Sequence, residues 1–284
     1  KLKSEKLHGS KEVQFDLEKD IQQIVENNLA ELFNLEFVQS EFRVDDKRID
    51  TLGFDPESNS FVIIEYKRGS SYSVIDQGYT YLNKILDNKA ECTLAFNELK
   101  NKFFKSNFFD WTSTKVIFVS PHFNEFQRDC IRKGMPIELW EINRFEGEVF
   151  TFQRIDTGKA DIKEKIRKNN KVIEKVSSEV KVFDEKDHTE KCDEKTQRIW
   201  LSLRERLLSF DRAGFNVTKI YIAFTKNNKN VCYIHFKKRF FTIGFIRGLI
   251  YPDVKKSTNF FSLDDPKNAA GVWDRLYKTG NNME

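Results

Sequence analysis

Asp50, Glu65 and Lys67 are the residues of this chain whose types and spacing could do chemistry. Glu65 and Lys67 end the apolar, β-branched run Phe61-Val62-Ile63-Ile64, and Asp50 lies in the preceding stretch Arg48-Ile49-Asp50-Thr51-Leu52-Gly53-Phe54-Asp55. In a strand alternate residues share a face, so Phe61, Ile63, Glu65 and Lys67 point one way and Val62, Ile64 and Tyr66 the other. A carboxylate and an ammonium side by side at the end of such a strand need each other, or something polar between them, because an unpaired buried charge is costly. Magnesium would meet that need, since it takes oxygen ligands, keeps several waters and rests on one or two protein carboxylates beside substrate phosphate. Asp50 would be the second carboxylate. The plain alternative is a Glu–Lys ion pair at a strand end, with Asp50 serving a turn. The Asp/Glu-x-Lys spacing alone decides nothing, for Asp45/Lys47, Asp87/Lys89, Glu98/Lys100, Asp161/Lys163 and Asp193/Lys195 share it. None of those follows an apolar run with an Asp-bearing strand before it.

Several elements must position these side chains. Asp55-Pro56-Glu57-Ser58-Asn59-Ser60 has turn composition, so the two stretches read as a β-hairpin, with Phe37 to Val44 as a strand before it. From Asp16 to Phe33 the apolar residues keep helical period, with Asp16 as cap. On that helix Glu18 falls at the margin of the apolar face and is expected to look toward the sheet, whereas Glu26 is expected to look toward solvent. Val74 to Leu86 reads as a helix with Gln77 and Tyr81 on one face by their i,i+4 spacing. Tyr81 suits core packing, and Gln77 suits either a surface amide or a place near substrate phosphate. Glu91 to Lys105 is expected as a helix with Leu94, Leu99 and Phe103 inside. Val116 to Ser120 reads as a buried strand, Glu125 to Lys133 as a helix, and Ile137 to Ile142 and Glu148 to Ile155 as closing strands. Strands alternating with helices point to an α/β layer with a mixed sheet.

The stretch carrying Asp50, Glu65 and Lys67 resembles the PD-(D/E)XK, or restriction-endonuclease-like, nucleases, whose motif is an Asp on one strand and Asp/Glu-x-Lys on the next. Gln77-Gly78-Tyr79-Thr80-Tyr81 resembles the Q-x-x-x-Y motif of the RecB-like members. The wording around Asp50 and Glu65 is similar to that of a bacterial subfamily with a nuclease-like N-terminal half and a small C-terminal domain of unassigned role. The resemblance implies a restriction-endonuclease-like mixed sheet flanked by helices, with a small α+β C-terminal domain. It also implies that Asp50, Glu65 and the carbonyl of Tyr66 hold Mg²⁺ or Mn²⁺ against a scissile DNA phosphate, lowering the pKa of a water and offsetting charge in the transition state. Lys67 would orient that water, Gln77 would position the backbone or a water, and Arg48, Arg68 and Tyr81 would meet nucleic acid. Many members supply a further acid from the first helix, which Glu18 could be; a carboxylate favoured by the helix dipole explains it equally. The expected activity is that of a magnesium-dependent endodeoxyribonuclease, in defence or repair. A catalytically silent nucleic-acid- or protein-binding module is the alternative, and a scaffold built on the C-terminal half is a third reading.

Composition sets the outer bounds. With 284 residues, 39% hydrophobic and 32% charged, the chain can hold two modest domains, and no apolar run approaches the ~18 residues of a membrane span. The net charge of +4 is only mildly attractive to nucleic acid. Cys92, Cys130, Cys192 and Cys232 stand far apart without a C-x-x-C pairing, against a zinc ribbon or a disulfide framework and in favour of a reducing cytoplasm. The sequence opens on Lys1-Leu2-Lys3-Ser4, without Met or a signal-peptide core, so a longer natural chain is expected.

Residues 1–158 read as the nuclease-like domain, 159–194 as a charged, partly helical linker and 195–284 as the small α+β domain. Within the linker Ile162, Ile166, Ile173, Val176 and Val180 could form a short seam in a homodimer, though a solvated helix fits better. In the last part Thr196 to Phe210 reads as an amphipathic helix, followed by strands Ile220 to Thr225, Val231 to Phe236 and Phe240 to Ile246 and a closing helix around Trp273, Leu276 and Tyr277. Lys219, Lys226, Lys237, Lys238, Arg239 and Arg247, among Tyr221, Tyr233 and Phe241, could meet phosphates and bases, although core aromatics and solvated lysines explain them as well.

Overall fold

The run Phe61 to Tyr66 is buried on both faces, so it must be a central strand, and the first half of the chain is built outward from it. The computed structural model describes residues 10–69, 73–155, 158–161, 170–227, 229–245 and 261–262. It divides into two units, Lys1–Val182 and Phe183–Glu284.

In the first unit the elements are β1 (Glu12–Val13), α1 (Glu18–Glu26), α2 (Leu29–Phe33), β2 (Glu36–Val44), β3 (Lys47–Asp55), β4 (Ser60–Tyr66), α3 (Val74–Asp87), α4 (Lys89–Lys100), β5 (Lys115–Ser120), α5 (Glu125–Cys130), β6 (Arg132–Lys133), β7 (Ile137–Phe145), β8 (Val149–Arg154), β9 (Gly158–Asp161) and α6 (Lys171–Glu179). Among the described residues a seven-stranded mixed sheet runs in the order β1-β7-β5-β4-β3-β2, with β8 beside β7. β2, β3 and β4 form an antiparallel meander. β4, β5 and β7 are parallel, their crossovers being α3 with α4 and then α5, as parallel pairing requires. This is the expected α/β fold, a mixed sheet flanked by helices.

Alternation along β4 sorts the core into two clusters. Phe61 and Ile63 pack under α3, α4 and α6, while Val62, Ile64 and Tyr66 pack under α1 and α2 with Trp140. Gly78 sets the closeness of α3, since a Cβ there would lie 2.8 Å from Ile137 Cδ1 and 3.3 Å from Phe118 Cε2.

Several expectations change, among them the helix from Glu125, which ends at Cys130 with Arg132–Lys133 in a strand. The first helix is not continuous from Asp16 to Phe33: α1 ends at Glu26 and α2 begins at Leu29. Leu17 is its N-cap, and the Asp20 carboxylate accepts the Leu17 amide proton. In α4 the buried residues are Cys92, Thr93, Ala95 and Phe96, whereas Leu94, Leu99 and Phe103 are exposed. The helix stops at Lys100, with Asn101 in the left-handed region at φ 47°, so Phe103 never joined its stripe. Finally, α6 is not a solvated linker helix: Ile173, Val176 and Val180 are buried in the first unit's core and are not available as a dimer seam. Ile162 and Ile166 lie outside the described residues.

The second unit has α7 (Glu185–Thr189) and α8 (Glu194–Leu208), then an antiparallel sheet of β10 (Ala213–Val217), β11 (Ile222–Lys226), β12 (Lys229–Phe236), β13 (Phe241–Phe245) and β14 (Phe261–Ser262). Trp200 of α8 packs on Ile222, Ile234, Phe236 and Phe241. Phe241 is therefore core and not a stacking platform. Strand β10 has no counterpart in the sequence reading, because Ala213-Gly214-Phe215-Asn216-Val217 has turn-forming composition. Arg247 and the closing helix around Trp273, Leu276 and Tyr277 lie outside the described residues. No helix among the described residues is long and apolar enough to cross a membrane.

Candidate active site

Glu65 is the penultimate residue of β4 and lies on the α3 side, where three donors meet one of its oxygens. Oε1 accepts from Lys67 Nζ at 2.8 Å, Gln77 Nε2 at 2.9 Å and Tyr81 OH at 3.2 Å. Gln77 Nε2 also reaches Tyr81 OH at 3.1 Å, as the i,i+4 spacing on α3 allows. The other oxygen, Oε2, is buried with no hydrogen bond of ordinary geometry, and the Asp50 backbone amide is the remaining donor near the carboxylate. A buried acceptor without a donor is uncommon, because desolvation is then uncompensated.

Asp50 stands where β3 leaves β4. The ladder runs from Asp55↔Ser60 to Thr51↔Ile64, and beyond it Asp50 Oδ2 accepts the amide proton of Tyr66 at 3.0 Å. A side chain thus takes a place that backbone would take in a continued ladder. On the other side Asp50 faces Glu41, which adopts φ 52°; a non-glycine residue in that region costs free energy. Asp50 lies at the strand end near Glu65 and Lys67.

The electrostatics agree with that closeness. Burial, and next the Glu65 charge, raise the Asp50 carboxyl to about 7, against the Tyr66 amide and Lys67, which lower it. Burial also raises Glu65, with the Lys67 charge and hydrogen bond pulling the other way. Two carboxyls sharing one ammonium leave the centre one positive charge short of neutrality when both are ionised.

Glu18, the first residue of α1, accepts the Arg68 amide proton at 2.9 Å and lines a cleft of about 700 Å³ together with Asp50 and Tyr66. The expectation for Glu26 is overturned. It lines the same cleft, and its Oε1 accepts from Thr51 Oγ1 at 2.6 Å and Gln22 Nε2 at 3.0 Å. Eight residues at 100° each put Glu18 and Glu26 only about 80° apart. Taking Leu29 and Leu32 as part of the same helix had displaced the apparent apolar face.

Sequence reasoning missed Gln22. Its side chain is buried, and Nε2 lies 3.0 Å from the Asp50 carbonyl and 3.0 Å from Ser40 Oγ, so α1 grips β3 at the proposed acid itself. The stripe Glu18, Gln22, Glu26 at i,i+4 was the available signal. Thr51 Oγ1 also meets Tyr66 OH at 3.0 Å, and burial raises that phenol.

The residues expected against nucleic acid separate. Arg48 lines the cleft and pairs through Nε with Glu41 at 2.7 Å. The Arg68 guanidinium turns back to the Asp16 carbonyl. Tyr81 is buried, its hydroxyl directed to Glu65 and, at 3.5 Å, to the Arg48 carbonyl.

Among the described residues no group of three or more His, Cys, Asp or Glu side chains is placed to hold a metal ion. What Asp50 and Glu65 offer is a pair of hard oxygen donors, one of them the orphaned Glu65 Oε2. That set suits a cation keeping several of its own waters. The donors present therefore fit magnesium or manganese and do not suit a soft metal.

Fold and site together define a mixed α/β protein with two carboxylates and a lysine gathered at a strand end. The chain belongs to the same family as a Haemophilus influenzae protein, described as an uncharacterized protein, that is 39% identical over 271 residues, 94% of this chain and 86% of that one. No family model matches. Structural overlaps with a repair endonuclease from Pyrococcus abyssi (18% identity, TM-score 0.25), with EndoMS in complex with double-stranded DNA (14%, 0.23) and with Pyrococcus furiosus SfsA in complex with Ca²⁺ (13%, 0.27) are partial. They cover 40%, 40% and 50% of this chain and 42%, 40% and 63% of those proteins.

Proposed function

We propose that the chain is a metal-dependent nuclease of the PD-(D/E)XK kind that hydrolyses DNA phosphodiester bonds as an endonuclease, with repair or defence as its setting. The observation that carries this reading is the Glu65 carboxylate. Three side-chain donors fix one oxygen, and the other is buried with no side-chain partner, the Asp50 amide alone approaching the carboxylate. A purely structural ion pair would satisfy both oxygens or expose one to water.

Asp50 and Glu65, with the carbonyl of Tyr66, would hold Mg²⁺ or Mn²⁺, and Glu18, which lines the cleft with Asp50 and Tyr66, would be a further acid. When bound, such an ion supplies an activated water near neutral pH and offsets charge growing on the phosphoryl group. The chain's own side chains do the rest. Lys67 neutralises Glu65 and presents an ammonium beside the reacting phosphate. Gln77 and Tyr81 lock the Glu65 rotamer, while the Tyr66 amide and Gln22 hold Asp50, so little reorganisation is left for the reaction itself. Arg48 would meet the phosphodiester backbone.

The test is cleavage of single- and double-stranded DNA with Mg²⁺, Mn²⁺ or EDTA, beside Lys67→Ala and Asp50→Asn. Metal-dependent cleavage lost in both variants is the expected outcome. Cleavage that survives in both comes from another protein, and binding without cleavage by the wild type would leave a silent binding module.

A further inference from the structure

We propose that Arg43 and Arg48 form a phosphate subsite beside the Asp50–Glu65 centre, holding the polynucleotide phosphate one backbone repeat from the bond to be cut. This rests on the nuclease reading above. Arg43 and Arg48 are direct cross-strand partners in the β2–β3 ladder, so both side chains leave the same face of the sheet. Like charges directly opposite each other repel and destabilise a ladder. Glu41 compensates one of them, through Nε of Arg48. Arg43 is exposed, and its side chain makes no ion pair or hydrogen bond among the described residues.

Both arginines line the cleft that also holds Asp50 and Tyr66. The cleft is not a general anion trap, since Glu18, Glu26 and Glu41 line it too. The arginine pair lies toward the β2–β3 turn, and Asp50 lies two residues further along β3. At ~3.4 Å per residue that offset is roughly 7 Å, the scale of one sugar–phosphate repeat. Two planar guanidiniums and the one carboxylate paired with Arg48 leave a single positive charge, which matches one phosphodiester, and the guanidinium fork suits its oxygens. The substrate class that follows is a polynucleotide with a phosphate flanking the scissile one, as opposed to a mononucleotide ester.

The experiment is fluorescence anisotropy with a fluorescein-labelled single-stranded oligonucleotide in Ca²⁺ over a salt series. The same wild-type, Arg43→Ala and Arg43→Lys preparations are assayed for Mg²⁺-dependent cleavage of the oligonucleotide and of a p-nitrophenyl thymidine phosphate ester. Arg43→Ala should weaken binding at least about tenfold and lower the slope of log Kd on log salt by about 0.7, while Arg43→Lys keeps the slope. Oligonucleotide kcat/KM should fall in Arg43→Ala, with hydrolysis of the small ester unchanged. A wild type that cuts DNA beside an Arg43→Ala variant with unchanged Kd and slope overturns the subsite alone. A wild type that cuts nothing overturns the nuclease reading beneath it.

Discussion

The backbone amide of Tyr66 donates to the carboxylate of Asp50 across 3.0 Å. Through that bond the residue that follows Glu65 in sequence fixes the second acid in space, and the two carboxyls are held together by main chain as well as by side chains. Burial raises both, so the free protein stores unfavourable electrostatics at this point. Such a cost is concentrated at functional sites.

Asp50→Asn should therefore separate stability from activity. The amide keeps an oxygen for the Tyr66 proton and removes a charge that burial disfavours. In EDTA at pH 8 the variant should melt at or above the wild-type temperature, with DNA cleavage reduced by at least ~100-fold. A clear loss of thermal stability in differential scanning calorimetry would show that the ionised Asp50 stabilises the fold.

The raised carboxyls also set a pH dependence. In the folded chain Asp50 titrates at about 7, above the ~3.9 of an unfolded aspartate, so between these values the native state binds more protons. Metal-free stability should be greatest below about pH 4 as far as this group is concerned, and should fall as pH rises through 7. Mg²⁺ or Mn²⁺ favours the ionised form, so the rise in melting temperature on adding metal should grow across the same window. Thermal melts with and without metal from pH 5 to 8.5 measure both trends; a metal effect that shrinks with pH would contradict them.

Gln77→Ala and Tyr81→Phe each remove a donor to Glu65 Oε1. Partners of a metal-binding carboxylate typically contribute 10–100-fold in metal affinity. Each variant should need about that much more Mg²⁺ for half-maximal cleavage and recover most of its rate at saturation. A variant whose Mg²⁺ requirement is unchanged would make these residues packing only.

Gly78 lies between them, and its Cβ position is taken by Ile137 and Phe118. Gly78→Ala should cost about 1–3 kcal/mol by forcing α3 off the sheet, and should raise the Mg²⁺ requirement as the two α3 donors move with it. Urea unfolding followed by circular dichroism gives the first quantity. A stability equal to wild type would mean that Ile137 yields freely.

In the second unit, His188 Nε2 lies 2.8 Å from the Thr218 carbonyl, while Nδ1 is buried without a partner. Burial lowers its pKa, so protonation is resisted in the folded state. Stability should fall as pH drops below the ~6.5 of an unfolded histidine, first in the second unit. Hydrogen exchange of β10 and β11 amides at pH 5 and 7 reads this locally, and His188→Gln should flatten the difference. Equal protection at both pH values in the wild type would count against it.

The strand carrying Glu65 was legible because alternation and a continuous apolar run leave one arrangement for Phe61 to Lys67. Gln77 and Tyr81 were legible as a pair from their spacing, although not as donors to Glu65, because contacts between elements leave no trace in local pattern. Gln22 and Glu26 were hidden for a related reason. Polar residues on an amphipathic helix normally face water, and here they face a polar cleft. The break in the first helix and the end of α4 turned on Asn27-Asn28 and Asn101, where asparagine ended a periodic pattern that otherwise ran on. Burial of α6 was invisible because its short apolar stripe is surrounded by charge.

The claim on which the rest depends is that Asp50 and Glu65 share one divalent cation. Anomalous diffraction from crystals grown with Mn²⁺ tests it most directly. A strong anomalous peak in contact with both carboxylates, with Glu65 Oε2 as a ligand, is the expected result. Occupied manganese elsewhere, with Asp50 and Glu65 bare under saturating metal, would contradict it.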